Sequence, residues 1–292
     1  MTWEERRPSR LKVAGIYLRR GLNSIGNSSP YLSGDVFADS SDFAFGSSGL
    51  RKRPYSLRTI READVIYCRS DLLEFFLESY YSEINAKVII AGNSDREFYS
   101  LPERIPKSIR HFFLQNSFLQ NGSFTTSIPI GIENKRWAVN GQTKFMVNSV
   151  PWNLRLGSVM IGPFGLTHET RFLIRDLFSE YEDGGIEFFP NRLDPKRYAE
   201  VSSMYKFVAA VRGNGIDTHR HWESIYRGSK VLVQLDDWSK NFMNLNLPFV
   251  YLDNWSAAEV TKAILEGSEP KNPKSVTELW WPYWQNRINQ FV

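Results

Sequence analysis

Charged side chains and two glycines occur together in one segment of the chain, residues 206–233. An apolar stretch at 206–211 ends in a turn that contains Gly213 and Gly215, and a helical stretch with Arg220 and Glu223 follows. A strand that ends in such a turn directs backbone N–H groups and a helix N-terminus toward one point. The segment therefore predicts an anion-binding site.

The helical stretch has two faces. At about 100° per residue, Trp222, Ile225 and Tyr226 fall on one side. Asp217 is the predicted N-cap of the helix, and Gly228 is the predicted C′ residue. The alternative to an anion site is a solvated face of i,i+3 and i,i+4 charge pairs. The other side of the helix carries Asp217, Arg220, Glu223, Ser224 and Arg227.

The segment 206–233 resembles the nucleotide-sugar half of exostosin-like glycosyltransferases, where a strand leads into G-x-G/N-x-D-x-H/S-R-x-x-E on a helix. Residues 248–256 are similar to the family's lPF…D-x-W segment, and residues 92–95 and 128–134 look like segments of bacterial and viral polysaccharide glycosyltransferases. The family often has proline where Val211 or Arg212 stands here. The resemblance implies the GT-B arrangement, in which two Rossmann-like domains face each other across a cleft.

The resemblance also implies an activity, which is transfer of a hexosyl or pentosyl group from a nucleotide sugar to a glycan or glycolipid acceptor. It places Glu223 on the ribose hydroxyls, since a carboxylate can accept hydrogen bonds from both. Arg171 matches an arginine that binds phosphate in related enzymes, and a surface arginine is the alternative. The competing interpretation of the whole chain is a non-catalytic nucleotide- or glycan-binding protein on a GT-B-like scaffold. The other predicted donor-site residues are Arg212, Gly213, Asn214, Gly215, Asp217, His219 and Arg220.

Metal-dependent transfer would need a set of metal ligands. Asp236 and Asp237 are adjacent, which differs from the spacing of an Asp-x-Asp motif. His219 and His221 lie two residues apart on the helix, so their side chains point about 200° apart and cannot share an ion. We therefore predict metal-independent transfer, with arginines and a helix N-terminus at the phosphates. The nucleotide-sugar donor is a substrate, and no further cofactor is expected.

Two carboxylates are candidates for the general base that deprotonates the acceptor. Asp95 follows the predicted strand 87–91 at its carboxyl end, where open α/β sheets bind ligands. Glu133, after Pro129 and Gly131, is the second candidate. An Asx turn or helix cap is the alternative role for Asp95. A retaining enzyme would not require such a base.

Composition favours a globular protein in a reducing compartment. The chain has 292 residues, is 42% hydrophobic and contains one cysteine, Cys68, within an apolar stretch that predicts a packed thiol. No run approaches 18 apolar residues, and residues 1–10 lack the apolar core of a signal peptide. We expect a cytoplasmic protein, either soluble or peripheral to a membrane.

The basic residues are unevenly distributed along the chain. Residues 1–60 contain ten Lys/Arg and five Asp/Glu, whereas the whole chain has a formal net charge of +4. This basic region predicts attraction to an anionic acceptor or a membrane surface, and a solvated surface without a partner is the alternative. No nucleic-acid-binding motif is present in the sequence, so no nucleic-acid partner is expected.

The elements that must position these residues follow an alternating pattern of strands and helices. Such alternation predicts an α/β fold with parallel sheets covered by helices. We predict an acceptor-side domain at 1–150, a nucleotide-sugar-binding domain at 151–275, and a helical segment at 276–292 that either crosses back to the first domain or packs on its own. Residues 23–48 are expected to form a long mobile loop. Strands are predicted at 11–18, 64–67, 87–91, 111–114, 158–161, 186–189, 206–211, 230–234 and 249–252, and helices at 71–84, 167–181 and 195–203.

Overall fold

The computed structural model describes residues 27–46, 56–137, 140–147, 150–181 and 184–292. It is an α/β structure with two parallel sheets of five strands each. The first sheet lies in the part of the chain up to residue 147, which we call the first half. Its strands are adjacent in chain order. They are β1 (Phe43–Phe45), β2 (Val65–Arg69), β3 (Val88–Gly92), β4 (His111–Leu114) and β5 (Thr125–Ser127).

The second sheet lies in the second half of the chain, from residue 150 onward. Its strands are β6 (Leu156–Ile161), β7 (Ile186–Phe188), β8 (Tyr205–Ala209), β9 (Lys230–Gln234) and β10 (Phe249–Leu252). The spatial order is β10-β9-β8-β6-β7, so the chain turns back between β7 and β8 and the winding direction reverses between β6 and β8. Open parallel sheets bind ligands at the carboxyl ends of the strands beside such a reversal.

Nine α-helices flank the two sheets in the described ranges. Ser33, Ser56, Asp194 and Ser256 are N-caps whose side chains accept a backbone N–H, which explains where the helices after them begin. The helices are α1 (Gly34–Asp39), α2 (Leu57–Glu62), α3 (Leu73–Ser79), α4 (Glu169–Phe178), α5 (Pro195–Ser202), α6 (His219–Tyr226), α7 (Asp237–Lys240), α8 (Ala257–Glu266) and α9 (Trp281–Asn289).

Both sheets are buried on both faces. In β2, Ile66 packs in the cluster that contains side chains of α2 and α3, while its neighbour Tyr67 packs in the cluster that contains α1. The second sheet alternates in the same way, with Phe207 of β8 on the side of α4 and Val208 on the side of α5. The period of two follows from the strand geometry and places helices on opposite faces of each sheet.

The C-terminal segment packs on the first sheet. Trp281, Trp284 and Ile288 of α9 share one apolar cluster with Ile90 of β3. The Phe291 ring stacks on the imidazole of His111 in β4, with 3.7 Å between ring centroids. The chain thus returns from the second sheet to the first before it ends.

Most predicted elements are confirmed, and two predictions are wrong. Strands 111–114, 230–234 and 249–252 coincide with β4, β9 and β10. The predicted strands that correspond to β2, β3, β6, β7 and β8, and helices α4 and α5, differ at their ends by up to three residues, whereas β5 is not predicted. The predicted helix 71–84 ends at Ser79 and continues as a turn. Within the predicted loop 23–48, α1 and β1 form instead, because Ser33 caps a turn of buried apolar residues. The predicted strand 11–18 lies outside the described residues.

The remaining predictions concern membrane helices, Cys68 and the basic region. None of the helices in the described ranges is long and apolar enough to cross a membrane. Cys68 is fully buried, and burial raises the pKa of its thiol, so the prediction of a packed thiol is confirmed. Most of the basic region 1–60 lies outside the described residues.

Candidate functional site

One face of helix α6 forms part of the core between the two halves. Trp222, Ile225 and Tyr226 are each at most 2% exposed and share an apolar cluster with Ile130 and Ile132 of the first half. The predicted apolar face of this helix is confirmed. Burial of these large side chains fixes the orientation of the helix, and therefore of its polar face.

The N-cap of helix α6 differs from the predicted one. Thr218 is the N-cap, and its backbone N–H donates to His221 Nδ1 (3.1 Å). The Asp217 carboxylate is buried instead and accepts hydrogen bonds from the Ile130 amide (2.7 Å) and from Trp222 Nε1 (2.8 Å). The prediction of Asp217 as N-cap is wrong because two buried donors need its oxygens. Gly228 does follow the helix with φ +85°, as predicted for a C′ residue.

A cavity of about 440 Å³, here called the first cavity, lies at the carboxyl ends of β6, β7 and β8. Its walls come from the loop 163–165 after β6, the loop after β7, and the first turn of α6. Asn140 contributes from the end of the first half. The cavity therefore sits beside the reversal of winding in the second sheet. Four predicted donor-site residues line it: Arg171, His219, Arg220 and Glu223.

Arg171 joins two loops at the wall of the first cavity. Its guanidinium donates to the carbonyls of Arg212 (2.8 Å), Val211 (3.2 Å) and Gly165 (2.9 Å). Burial, together with the nearby charge of Arg220, lowers the pKa of Arg171 to about 10. Arg171 is thus a half-buried, hydrogen-bonded cation, and the alternative of a solvated surface arginine does not fit this geometry.

Two more guanidinium groups face the first cavity. Arg220 donates to the carbonyl of Pro163, and its guanidinium lies 5.3 Å from the centre of the Tyr198 ring and 5.8 Å from that of Phe164. Arg192 also lines the cavity, and it forms no ion pair with any of the described residues. Three guanidinium groups therefore face a single carboxylate, that of Glu223, which makes the cavity attractive to an anion.

Glu223 is the carboxylate of this cavity, and one of its oxygens is unsatisfied. The residue is 5% exposed, and its Oε2 lies 3.5 Å from Arg227 Nη2. Oε1 has no hydrogen-bond partner within the described part of the chain. Burial raises the pKa of Glu223, whereas the charges of Arg227 and His219 and a hydrogen bond from the Glu133 backbone to the carboxyl group lower it. A buried acceptor without a partner costs on the order of 1–3 kcal/mol, so a donor from a ligand would relieve this cost.

The alternative of a solvated charged face on α6 is not supported by the structure. Ser224 is completely buried, and Arg227 is 2% exposed. The Arg227 guanidinium donates to the carbonyl of Phe145 (2.9 Å) in the first half. These side chains are held inside the molecule, and their charges are therefore weakly screened.

The glycine-containing turn packs closely against protein groups. A Cβ atom at Gly213 would lie 2.9 Å from Arg171 Nη2, and one at Gly215 would lie 2.9 Å from Asn116 Oδ1. The anion-site prediction requires these glycines to allow a close approach of the backbone to a ligand. The structure gives a different reason, because both glycines make room for side chains that anchor the turn. Neither glycine lines the first cavity.

The turn is also bonded to the first half. Arg212 Nη2 lies 2.6 Å from Glu97 Oε1, and Asn214 Nδ2 donates to Asp95 Oδ2 (3.2 Å). Arg212 and Asn214 therefore contact the first half rather than the first cavity. This accounts for all the predicted donor-site residues, of which Asp217 and the four residues 212–215 lie outside the cavity.

The two predicted general bases do not line the first cavity. Asp95 is exposed and accepts the hydrogen bond from Asn214. The Glu133 carboxylate accepts from the backbone N–H groups of Asn140 (2.7 Å) and Gly141 (3.3 Å). Glu133 thus lies behind Asn140, which is the residue of the first half that lines the cavity.

Sequence reasoning missed most residues of the first cavity. Among them are Phe164, Arg192 and Tyr198, from the loops after β6 and β7 and from α5. The loops after the predicted strands 158–161 and 186–189 could have been searched for polar residues, because both follow carboxyl ends of strands. Tyr198 gives no comparable signal in the sequence.

Metal ligands and known relatives add little to this geometry. Across the described ranges, no group of three or more His, Cys, Asp or Glu side chains is placed to hold a metal ion. No protein-family model matches the chain, and no curated protein matches it significantly.

Proposed function

We propose that the protein is a GT-B-type glycosyltransferase that moves a hexosyl or pentosyl group from a nucleotide sugar to a glycan or glycolipid acceptor. The observation that carries this proposal is Glu223, a buried carboxylate with an unsatisfied oxygen in a cavity lined by three guanidinium groups. In this proposal residues 151–275 bind the donor, residues 1–150 face the acceptor, and residues 276–292 join the second part to the first.

The groups of the first cavity match the two polar parts of a nucleoside diphosphate. Arg171, Arg192 and Arg220 supply planar cationic donors for the phosphate oxygens. Glu223 Oε1 accepts from a ribose hydroxyl, which satisfies its buried lone pairs. The combination favours a ligand that is anionic at one end and carries hydroxyl groups at the other.

The same groups account for the chemistry of transfer. Negative charge builds up on the β-phosphate as the bond to the sugar breaks, and guanidinium groups already in place stabilise that charge. We therefore propose a metal-independent reaction. The proton of the acceptor hydroxyl goes to Asp95, because this carboxylate is exposed and accepts one hydrogen bond, from Asn214. Glu133 is less suited, since Asn140 and Gly141 occupy its carboxylate.

One observation favours a second candidate function, a binding protein without turnover. Neither Asp95 nor Glu133 lines the cavity, and the turn that contacts Asp95 is joined to the first half by the Arg212–Glu97 ion pair. If that arrangement persists when a nucleotide is bound, no base reaches the acceptor. The protein would then bind nucleotide sugars without transferring the sugar.

Nucleotide release from a panel of donors separates these functions. The assay measures free nucleotide after incubation with UDP-, GDP-, dTDP- and CMP-sugars and a mixture of glycan acceptors. We expect release from one donor class and at least a hundredfold slower release in the Glu223→Gln variant. Donor binding without release would support the binding protein. Absence of both binding and release for every donor would contradict the proposed function.

A further inference from the structure

A second cavity, of about 320 Å³, lies at the carboxyl ends of β8, β9 and β10. It is lined by Arg212 from the glycine-containing turn, by Gln234 and Asp236 after β9, and by Trp255 after β10. Residues 168–170 at the start of α4 line the second cavity, and Arg171 of the same helix lines the first. The two cavities are therefore neighbours at the N-terminal end of α4. The volume is within the range of roughly 300–1,000 Å³ that holds small molecules.

The charge of the second cavity is opposite to that of the first. Its lining contains the carboxyl groups of Glu169 and Asp236 and only one guanidinium, that of Arg212. This guanidinium is already paired with Glu97 at 2.6 Å. Burial and the charge of Arg212 lower the pKa of His168, which also lines this cavity. With two carboxyl groups and one paired guanidinium, the second cavity is less favourable to a phosphate group than the first.

The polar groups of the second cavity suit a neutral ligand with many hydroxyl groups. Trp238 is 1% exposed, and its Nε1–H has no hydrogen-bond partner among the described residues. The Gln234 side chain is fixed in orientation by a hydrogen bond from its Nε2 to the carbonyl of Asp253 (2.7 Å). Trp255 supplies a half-buried aromatic surface. Donors, acceptors and an aromatic face thus meet in one small space.

We propose that the second cavity binds a sugar ring. This inference rests on the proposed function, in which a nucleotide occupies the neighbouring first cavity. The ring is either the glycosyl group of the donor or the terminal residue of the acceptor glycan, since both present the same chemistry. Asp236 accepts hydrogen bonds from ring hydroxyls, and Trp255 contacts the apolar face of the ring.

Asp236→Asn is the variant that tests this proposal, and Asp237→Asn is its matched control. Asp236 is the N-cap of α7 and accepts from the Ser239 amide (2.8 Å), and asparagine preserves this cap. Asp237 is the next residue, is exposed and does not line the cavity, so its substitution makes the same charge change outside the site. A third variant, Trp255→Leu, removes the aromatic surface. Thermal melting establishes that each variant is folded.

Calorimetric titration uses three probes: the nucleoside diphosphate that binds best among UDP, GDP, dTDP and ADP, the matching nucleotide hexose, and methyl glycosides of glucose, galactose and N-acetylglucosamine. We expect Asp236→Asn and Trp255→Leu to weaken nucleotide-hexose binding at least tenfold and diphosphate binding less than twofold. Asp237→Asn should change neither. Weaker binding of a methyl glycoside, with unchanged nucleotide-hexose binding, would support the same sugar site and assign it to the acceptor.

Other outcomes overturn the inference. An equal loss for the diphosphate and the nucleotide hexose would place part of the nucleotide in the second cavity. Unchanged binding of every sugar-bearing probe would mean that the cavity holds no sugar. If the wild-type protein binds no nucleotide, the proposed function fails, and the methyl glycosides alone then decide. Their weaker binding to Asp236→Asn would support a sugar site, and no difference or no binding would overturn it.

Discussion

The carboxyl edges of the two sheets have similar architecture and differ in how their polar groups are satisfied. At the first sheet, the backbone N–H of Asn93 donates to Gln115 Oε1 (2.7 Å), and Asn134 Nδ2 donates to Asn93 Oδ1 (2.8 Å). Asp35 lies there as well, with Oδ1 3.4 Å from Arg136 Nη2. At the second sheet, Glu223 lines the first cavity, and its buried Oε1 has no partner among the described residues.

Buried polar groups can therefore be of two kinds: those that stabilise the fold by bonding to one another, and those that only a ligand can satisfy. A buried network in which the members satisfy one another stabilises one arrangement of loops. A buried carboxylate without a donor costs free energy until a ligand supplies one. Two buried hydroxyl groups beside the first edge, those of Tyr67 and Ser70, also lack a partner among the described residues, so the comparison rests on the kind of group. Within the described ranges, only the second edge combines a buried unsatisfied carboxylate with a cavity lined by guanidinium groups, which favours binding there.

The largest expected effect is on the free energy of unfolding. It comes from removing one large side chain from the core between the two halves. Trp222 is 1% exposed and packs with residues of both halves, so Trp222→Ala should lower the free energy of unfolding by about 3–5 kcal/mol. Urea titration followed by circular dichroism measures this change. The Glu180→Gln variant, at an exposed position, is the control and should stay within about 0.5 kcal/mol of wild type. A small effect of Trp222→Ala would mean that α6 is not held as described.

At the first edge, we expect ionisation of Asp35 to make the free energy of unfolding depend on pH. The pKa of Asp35 is raised from 3.8 to about 6, mainly by burial. The charge of Arg136 lowers this pKa, and the charge of Asp39 raises it. Because the folded pKa is the higher one, this group destabilises the protein as pH rises from about 4 to above 6. Asp35→Asn removes the effect, and we expect it to gain up to about 3 kcal/mol relative to wild type between pH 4 and pH 7.

Urea titrations of both proteins at several pH values between 4 and 7 measure this gain. The absolute stabilities include other titrating groups, so the difference between the two proteins is the relevant quantity. A difference that stays constant across this range would contradict the burial of an ionisable Asp35 at the first edge.

At the second edge, we expect removal of a charge to cause a smaller change in free energy. This change should appear in ligand binding rather than in folding stability. Arg192 is exposed and lines the first cavity, so Arg192→Ala should weaken nucleoside diphosphate binding by up to about fivefold. The effect should shrink as salt is added. Arg197→Ala is the control, since Arg197 is exposed on α5 and does not line the cavity. Equal effects of the two substitutions would argue against a specific role for Arg192.

The smallest expected effect is that of a chelator. Arginines and not a metal ion neutralise the phosphates in our proposal, so nucleotide release should continue in excess EDTA at a rate within twofold of the untreated enzyme. Complete loss on chelation, with recovery on addition of manganese or magnesium, would show that transfer requires a metal ion and would contradict the metal-independent reaction.

Local patterns in the sequence are enough to predict most strands and the apolar face of α6. Alternation of apolar stretches and helical periods carries this information, and Trp222, Ile225 and Tyr226 are buried as that pattern predicts. The error at 23–48 has a local cause as well. Ser33 belongs to a run rich in serine and glycine that is typical of a flexible loop, but it caps α1, because Ser and Gly are common both in loops and at helix ends.

The predictions about individual site residues depend on contacts between distant parts of the chain. Asp217 lies just before α6, yet Ile130, whose backbone N–H donates to its carboxylate, comes from the first half. Gly213 and Gly215 make room for Arg171 and Asn116, which no spacing rule connects to them. The strand pattern correctly predicts Asp95 beyond the carboxyl end of β3, but only the packing of the halves determines that it meets Asn214.

Equilibrium binding of a nucleoside diphosphate to wild type, Glu223→Gln and Glu180→Gln is the most direct test of the central claim. Glutamine keeps the size of Glu223 but removes its charge and replaces one acceptor with a donor, so we expect binding to weaken by about 10- to 150-fold. The melting temperature should be unchanged or higher, because burial raises the pKa of Glu223 and its charge opposes folding at neutral pH. Glu180→Gln should bind as wild type does. Undiminished binding by Glu223→Gln would contradict the assignment of the first cavity to a nucleotide.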